Sequence, residues 1–436
     1  MRRVSRLGAI SILGLMVVLV GCSSPLLLTA TLSPTSAVAV NTPAPTGKPA
    51  ATTAPQPTAI PVPTAIAGPN EYIVIAQLNL WYFGSGCYGG FEAFDCSGKR
   101  TTPFEPALGH TYVSSDPHVI QQQIDWAADY GVDAFSLEWT TPREVSGSLE
   151  EIIDDAFLKA PNLDRIRWAI FYDLVLRILQ TPGLSVDLSR GMDFDDPDVY
   201  NTFVADFDHF ARKYFGESHY LSIDERPVVY IWGTWNATGR FAEAFQEARQ
   251  KAAAQGYDVY IVGDIIRADV FDDELASVYD ANTNFTFLMP GISTWPQDVG
   301  QAAAVQGDVF EKWQSESQGL KVAGRQEDVS LQPGWAPQYD DRLRGSDGQN
   351  IYVPAMSKEQ VIAMAEVARK YAQPVGSQSW KLIWINTWNN WAEGTTIEPT
   401  IDRGPKYPAG NYRFDMLEIV RDVFGAETFG NSAPAP

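Results

Sequence analysis

The stretch SSDPHVIQQQIDWAADYGVDAFSLEW, Ser114–Trp139, holds one complete helix-to-strand unit. Asp116 and Pro117 open it. An aspartate side chain accepts hydrogen bonds from the free N–H groups of a helix start, and proline has no N–H to leave unsatisfied at the first helical position. Ile120, Ile124 and Ala127 then recur at helical spacing, and Gly131 ends the helix. Val132–Glu138 follows as a short, largely apolar run, as expected of a strand buried on both faces.

The unit recurs along the chain. DPDVYNTFVADFDHFARKYFG repeats the Asp-Pro start at Asp196 and Pro197, then carries Phe203, Phe207, Phe210 and Tyr214. SKEQVIAMAEVARKYAQ opens with Ser357 and Glu359 and carries Val361, Ala365 and Ala368. Eight strand-like runs are predicted: Tyr72–Leu80, Val132–Glu138, Trp168–Asp173, Val228–Trp232, Val259–Asp264, Ala281–Phe285, Val329–Gln332 and Leu382–Ile385. Alternating strands and helices give an α/β fold, and eight units read as a single (β/α)8 TIM barrel over residues 71–428. A doubly wound open sheet is the alternative; the count of eight favours closure. No internal sequence repeat is present.

The ends are of another kind. Arg2, Arg3 and Arg6 precede a short apolar segment, Ala9–Val20, that finishes in Leu19-Val20-Gly21-Cys22. This pattern predicts a signal peptide over residues 1–22, and small residues before Cys22 resemble a bacterial lipobox, with lipidation at Cys22. An ordinary secretory signal with a chance cysteine is the alternative. Either way the chain is expected outside the cytoplasm, and in the lipobox reading Cys22 ties it to the membrane. Residues 23–70 are rich in Pro, Thr, Ala and Ser and nearly free of charge, which predicts a disordered linker before the barrel. Residues 429–436 form a short tail.

The chain carries 32 Lys plus Arg against 53 Asp plus Glu, a net charge of −21. This argues against nucleic acid as a partner. It fits a neutral or cationic ligand, or simply solubility outside the cell. Cys87 and Cys96 lie in a Gly-rich loop and predict a disulfide in an oxidising compartment; a metal site there would lack further ligands. The four histidines make no zinc spacing, so neither metal nor cofactor is expected.

In barrels of this class the site lies at the C-terminal ends of the strands. The residues there are Trp81 and Tyr82, Glu138 and Trp139, Tyr172 and Asp173, Trp232 and Trp235, Asp264, Asn282 and Asn284, then Trp335, Tyr339, Asp340 and Arg342. After the last run come Asn386, Trp388, Asn389, Asn390, Trp391 and Glu393. Seven of the 13 tryptophans fall in this set. Indole faces stack on the C–H faces of sugars while carboxylates and amides take the hydroxyls, so the pattern predicts a carbohydrate cleft. The expected substrate contacts are Trp81, Tyr82, Trp139, Tyr172, Trp232, Trp235, Asn282, Trp335, Asp340, Trp388, Asn389, Asn390 and Trp391. Tryptophan packing the rim as core is the alternative. Glu393 is the leading candidate acid and Glu138 the second. Asp173 and Asp264 are either site groups or helix caps. Glu398 is expected to order its loop through backbone hydrogen bonds, and Asp340 with Arg342 can form an ion pair. No Gly-rich phosphate loop and no GxSxG occur.

Four segments then carry a resemblance: LGHTYVSSDPHVIQQQIDWAADYGVDAFSLEW, PVVYIWG, QPGWAPQYDDR and WNNWAEGTTIEPT. Together, over roughly residues 72–425, they resemble glycoside hydrolase family 99 and its WbsX-like relatives, and more distantly family 71 glucanases. The resemblance implies a (β/α)8 barrel and retaining hydrolysis of α-linked glycans, with endo-α-mannosidase the best-known activity. The family motif, roughly W/F-N-E-W-x-E-G-T-x-x-E-P, has two catalytic glutamates three apart. The second maps to Glu393, which the resemblance makes the acid/base. The first maps to Asn390, and an amide cannot take a proton from a sugar hydroxyl. Three readings stay open: Glu138 or Asp173 replaces the missing carboxylate, Asn390 positions the sugar for substrate-assisted chemistry, or the barrel binds glycans without cutting them. The expectation is thus a lipid-anchored, extracytoplasmic, monomeric glycoside hydrolase acting on an oligo- or polysaccharide, with a glycan-binding lipoprotein as the alternative.

Overall fold

The computed structural model describes residues 71–83, 102, 104–109, 112–143, 148–181, 191–234, 237–264, 271–284, 299–339, 343, 357–401 and 414–425. The signal peptide, Cys22, the linker, Cys87, Cys96, Trp235, Asp340, Arg342 and the tail lie outside them. In chain order the elements are β1 (Tyr72–Leu78), α1 (Pro117–Asp129), β2 (Ala134–Trp139), α2 (Leu149–Asp155), β3 (Arg167–Asp173), α3 (Leu174–Leu179), α4 (Pro197–Lys213), β4 (Ser222–Ile223), β5 (Arg226–Trp232) and α5 (Phe241–Ala254). They continue with β6 (Tyr260–Asp264), α6 (Asp273–Ser277), β7 (Ala281–Thr283), α7 (Ala302–Glu316), β8 (Ser330–Leu331), β9 (Gly334–Trp335), α8 (Lys358–Tyr371), β10 (Pro374–Val375), β11 (Trp380–Ile385) and α9 (Asp415–Phe424).

The helix starts follow the sequence devices. Asp116 accepts from the His118 N–H at 2.9 Å, and Asp196 from the Asp198 N–H at 2.8 Å. Ser357 forms a capping box, but its partner is Gln360 rather than the Glu359 singled out above. Gly131 sits at φ 82°, a left-handed turn that suits a residue without Cβ and ends α1.

All eight predicted runs become strands. In the sheet, β11, β1, β2, β3, β5, β6, β7 and β8 are parallel neighbours in that order. The predicted run Val329–Gln332 shortens to β8, which pairs with β7, and a further strand beyond its predicted end, β9, pairs with β11, so residues 330–335 act as one stave that closes the ring. The break falls at Gln332 and Pro333. Proline has no N–H for a ladder, and the Gln332 side chain stands in, its Oε1 accepting from the Leu382 N–H at 2.8 Å. Closure is visible across the interior. The rings of Tyr230 on β5 and Trp384 on β11 lie 4.7 Å apart, although β1, β2 and β3 separate those strands in the sheet.

Outside the ring the helices bury the opposite faces of the strands. Phe203, Phe207 and Phe210 of α4 pack on Tyr172, and Phe210 lies edge-on to Trp139 at 4.7 Å. Each such ring contributes roughly 1.5–3 kcal/mol by leaving water. Replacing Phe210 by Ala is expected to destabilise the fold by about 3–5 kcal/mol, read from the denaturation midpoint. A cost under about 1 kcal/mol would show that α4 does not seal this face.

Candidate active site

Successive residues on a strand face opposite ways, and in-register partners on parallel strands face the same way. Gln77 is in register with Ser136. Two residues beyond, Glu138 is in register with Phe171, and Phe171 with Tyr230. Since Tyr230 meets Trp384 across the ring, this shared face is the interior. Phe171 and Tyr230 stack at 4.7 Å and with Trp384 form an aromatic floor. Above it, on the same face, come Glu138, Asp173, Trp232, Asp264 and Thr283 at the strand ends.

The loop leaving β11 brings in Glu393. It is fastened to the end of β1 by one side chain: Asn389 Oδ1 accepts from the Asn79 N–H at 2.8 Å, and its Nδ2 donates to the Asn79 carbonyl at 3.0 Å. The amide thus imitates a strand partner, and β1 ends at Leu78 rather than at Leu80 as predicted. Tyr112 completes the fastening. Its hydroxyl receives N–H groups from Asn389 at 3.0 Å and Trp391 at 3.1 Å, and donates to Glu398 at 2.9 Å. Gln123 donates to the other Glu398 oxygen at 3.0 Å. Glu398 therefore orders this region through side chains of α1 and its preceding loop, not through backbone groups alone.

Asn390 and Glu393 form a closed pair. Asn390 Nδ2 donates to Glu393 Oε2 at 2.9 Å, and the Glu393 N–H donates back to Asn390 Oδ1 at 3.2 Å. Asn390 is held in turn by its own N–H, which donates to Thr387 Oγ1 at 2.7 Å. The residue that stands where the resemblance expects the first catalytic glutamate thus fixes the orientation of the second, Glu393.

Three carboxylates meet in the mouth. Glu138 is 1% exposed, and Gln77 Nε2 donates to its Oε2 at 3.4 Å. Burial pushes Glu138 well above the usual carboxylate range, and the charges of Asp173 and Glu393 push it further. Asp173 caps α3 through the Leu176 N–H at 2.8 Å, so it is both a cap and a site group; burial lifts it to about 7. Asp264 lies near Tyr230, whose hydroxyl is raised well above its ordinary value by burial and by that charge.

The expected tryptophan platforms are placed differently. Trp139 and Tyr172 face α4, because each adjoins a carboxylate that takes the inner face. Tyr172 donates to Asp206 at 2.7 Å. Trp335 packs on Phe424 of α9 and Trp388 on Phe135, both edge-on and both buried. Asn282 points out toward the Ala276 carbonyl at 3.4 Å. Trp391 is buried under Tyr112, Asn389 is fully engaged with the protein, and the Tyr82 hydroxyl donates to the Asn389 carbonyl. Trp81 is buried beside Tyr82, while Trp232 stays half-exposed on the inner face, in register with Asp173. The polar inner residues Gln77, Asn79, Ser136 and Tyr230 were not among the expected contacts. Gln77 and Asn79, two amides two apart closing an apolar run, were the signal for them.

The chain is thus a closed parallel barrel with carboxylates clustered at its C-terminal mouth. Residues 199–409 match the family described as Glycosyltransferase WbsX. A "Glycoside hydrolase-like protein" of known structure superposes with a TM-score of 0.61 at 20% identity, covering 85% of this chain and 98% of its own. The GH99 endo-alpha-mannosidase from Bacteroides thetaiotaomicron superposes at 0.52 and 14% identity, covering 80% of this chain and 95% of its own. At such identities the likeness is one of fold. An uncharacterized protein, WxcX, of Xanthomonas campestris pv. campestris (strain B100) is 29% identical over 210 residues, 44% of this chain. The match spans 27% of that protein's length. The family match thus covers just under half of the chain, and the solved structures share its fold.

Burial lifts Glu398 to about 8 from an ordinary value of 4.5, against the two hydrogen bonds that pull it down. The folded protein then keeps a proton that the unfolded chain sheds, so this group's stabilisation is present below about 4.5 and lost as pH rises toward about 8. Glu398→Gln is expected to reduce the fall in Tm between pH 5 and pH 8. An unchanged slope would show that Glu398 is already ionised in the fold.

Proposed function

We propose that the chain is an extracytoplasmic glycoside hydrolase acting on α-linked glycans, with Glu393 as acid/base and the Glu138–Asp173 pair supplying the second carboxylate. The observation that carries this reading is the meeting of Glu138, Asp173 and Glu393 at the barrel mouth, where each neighbouring charge bears on Glu138. Glycoside hydrolysis needs one group to protonate the leaving oxygen and another to attack or to activate water. Asn390 gives an N–H to Glu393 Oε2, so a proton that Glu393 delivers rides on Oε1. Asn390 is in this reading a positioning residue. The matched WbsX family is described as one of glycosyltransferases. An acidic mouth disfavours the diphosphate of a nucleotide-sugar donor, which supports hydrolysis, or transfer to a second sugar by the same carboxylates.

The Glu138–Asp173 pair has to lose its proton before it can act as base or nucleophile, and it titrates as a unit. With Asp173 at about 7, kcat/KM should rise as pH increases through neutrality. Asp173→Asn removes a like charge from Glu138 and is expected to move that limb to lower pH. Glu393→Gln should reduce hydrolysis of natural α-glycans about 10²–10⁴-fold, with much of the loss recovered on aryl glycosides whose leaving group needs no acid. If no α-glycan yields reducing ends, and Glu393→Gln changes nothing, the hydrolase reading falls.

Asn390 favours one second reading, a cell-surface glycan-binding protein on a hydrolase barrel. Calorimetry showing sugar binding without turnover would select it. In either reading the lipobox-like Leu19-Val20-Gly21-Cys22 supports a lipid anchor. Cys22→Ala should move the protein from the membrane fraction to the soluble one, and retention in the membrane would remove Cys22 as the anchor.

A further inference from the structure

The inner wall beside Glu138 carries polar oxygens that no group among the described residues serves. Glu138 Oε1, Gln77 Oε1 and Ser136 Oγ are buried and have no hydrogen-bond partner among the described residues. Gln77 Nε2 lies between two acceptors, Asn79 Oδ1 at 2.9 Å and Glu138 Oε2 at 3.4 Å, and with Asn79 as placed and Glu138 ionised this fixes the amide's orientation; Asn79 Nδ2 is a donor beside it that has no partner among the described residues. Gln77 is 4% exposed, so the carbonyl oxygen is a buried acceptor held beside the Glu138 carboxylate. Asp173 projects from the next strand onto the same face. No lysine, arginine or histidine among the described residues forms an ion pair with Glu138 or Asp173.

Leaving buried acceptors unserved is costly, and ionising two neighbouring buried carboxylates adds to that cost. A sugar hydroxyl brings one donor and no charge. An ammonium group brings three donors, no lone pair and one positive charge. It matches two neighbouring carboxylates and an adjacent carbonyl. We infer that this wall binds an amino sugar with a free ammonium group, seated against Glu138, Asp173 and Gln77 Oε1. The inference rests on the glycan reading of the same chamber and names its substrate class. The incoming cation displaces the proton shared by the Glu138–Asp173 pair, which passes to buffer. The carboxylates are thereby left ionised, and Glu393 remains as the acid. N-acetylation of the sugar removes the charge and two of the donors.

The test is calorimetric titration of the full-length protein near pH 6 with glucosamine, galactosamine and mannosamine, each beside its N-acetylated and neutral parent. One amino sugar should bind about ten- to a hundredfold more tightly than its two counterparts, the range expected of charge-assisted hydrogen bonds. Its apparent enthalpy should vary with the ionisation enthalpy of the buffer, the mark of proton release. Asp173→Asn keeps a side chain able to cap α3 and should reduce the preference while the fold, followed by circular dichroism, persists. Equal binding of amine and neutral parent, or cleavage of a neutral α-glycan with no affinity for any amine, overturns the inference and leaves the hydrolase reading standing. Failure of every sugar to bind, together with failure of every α-glycan to be cleaved, removes both.

Discussion

Strand alternation within a closed ring governs where every group in the mouth can point. A residue at a strand end either enters the chamber or meets a helix, and its neighbour takes the other side. Glu138 and Trp139 divide in this way, as do Asp173 and Tyr172. The carboxylates gain the interior because the outer positions are claimed by large rings that α4 can bury. Glu138 and Asp173 thus stay in the chamber at little risk of turning outward, since that would shift the whole strand register and expose Trp139 and Tyr172 to the polar interior.

Ring closure adds the remaining parts. Residues 330–335 bridge β7 and β11, and the chain leaving β11 folds over the end of β1. Asn389 docks that loop, Tyr112 and Glu398 brace it, and Asn390 holds Glu393 against movement. Side-chain amides substitute for backbone pairing at three points, Gln332, Asn284 and Asn389, where the strands are too short or broken to pair by themselves. Gln332 and Asn389 are answered by backbone groups on both sides of the amide, whereas Asn284 is answered at Oδ1 alone and its Nδ2 has no partner among the described residues.

Much of the architecture was legible. Helix starts at Asp116, Asp196 and Ser357 follow from capping chemistry, and all eight apolar runs are strands. The break at Gln332–Pro333 was readable in principle from the proline, but not which neighbour the chain on each side of it would choose. The carboxylates Glu138, Asp173 and Glu393 were legible as strand-end groups and do come together. The tryptophan rim was misread: a strand-end Trp beside an acid satisfies a sugar-platform pattern and a core-packing pattern alike, and only the facing of the strand separates them. The bonds of Asn389 to Asn79 and of Glu398 to Tyr112 left no trace in the sequence, because contacts between segments so far apart have no local period.

Asn79 and Asn389 are 310 positions apart, and their paired hydrogen bonds join the first strand to the segment after the last. The chamber is thus a property of the whole chain. A chain still emerging from the ribosome can form helices and successive strand pairs, yet it has no Glu393 in place until the segment after β11 has been delivered. Contacts of such long sequence separation form late and slowly. The meeting of Glu138, Asp173 and Glu393 is withheld until nearly all of the barrel has been synthesised, so no partial chain carries the completed arrangement.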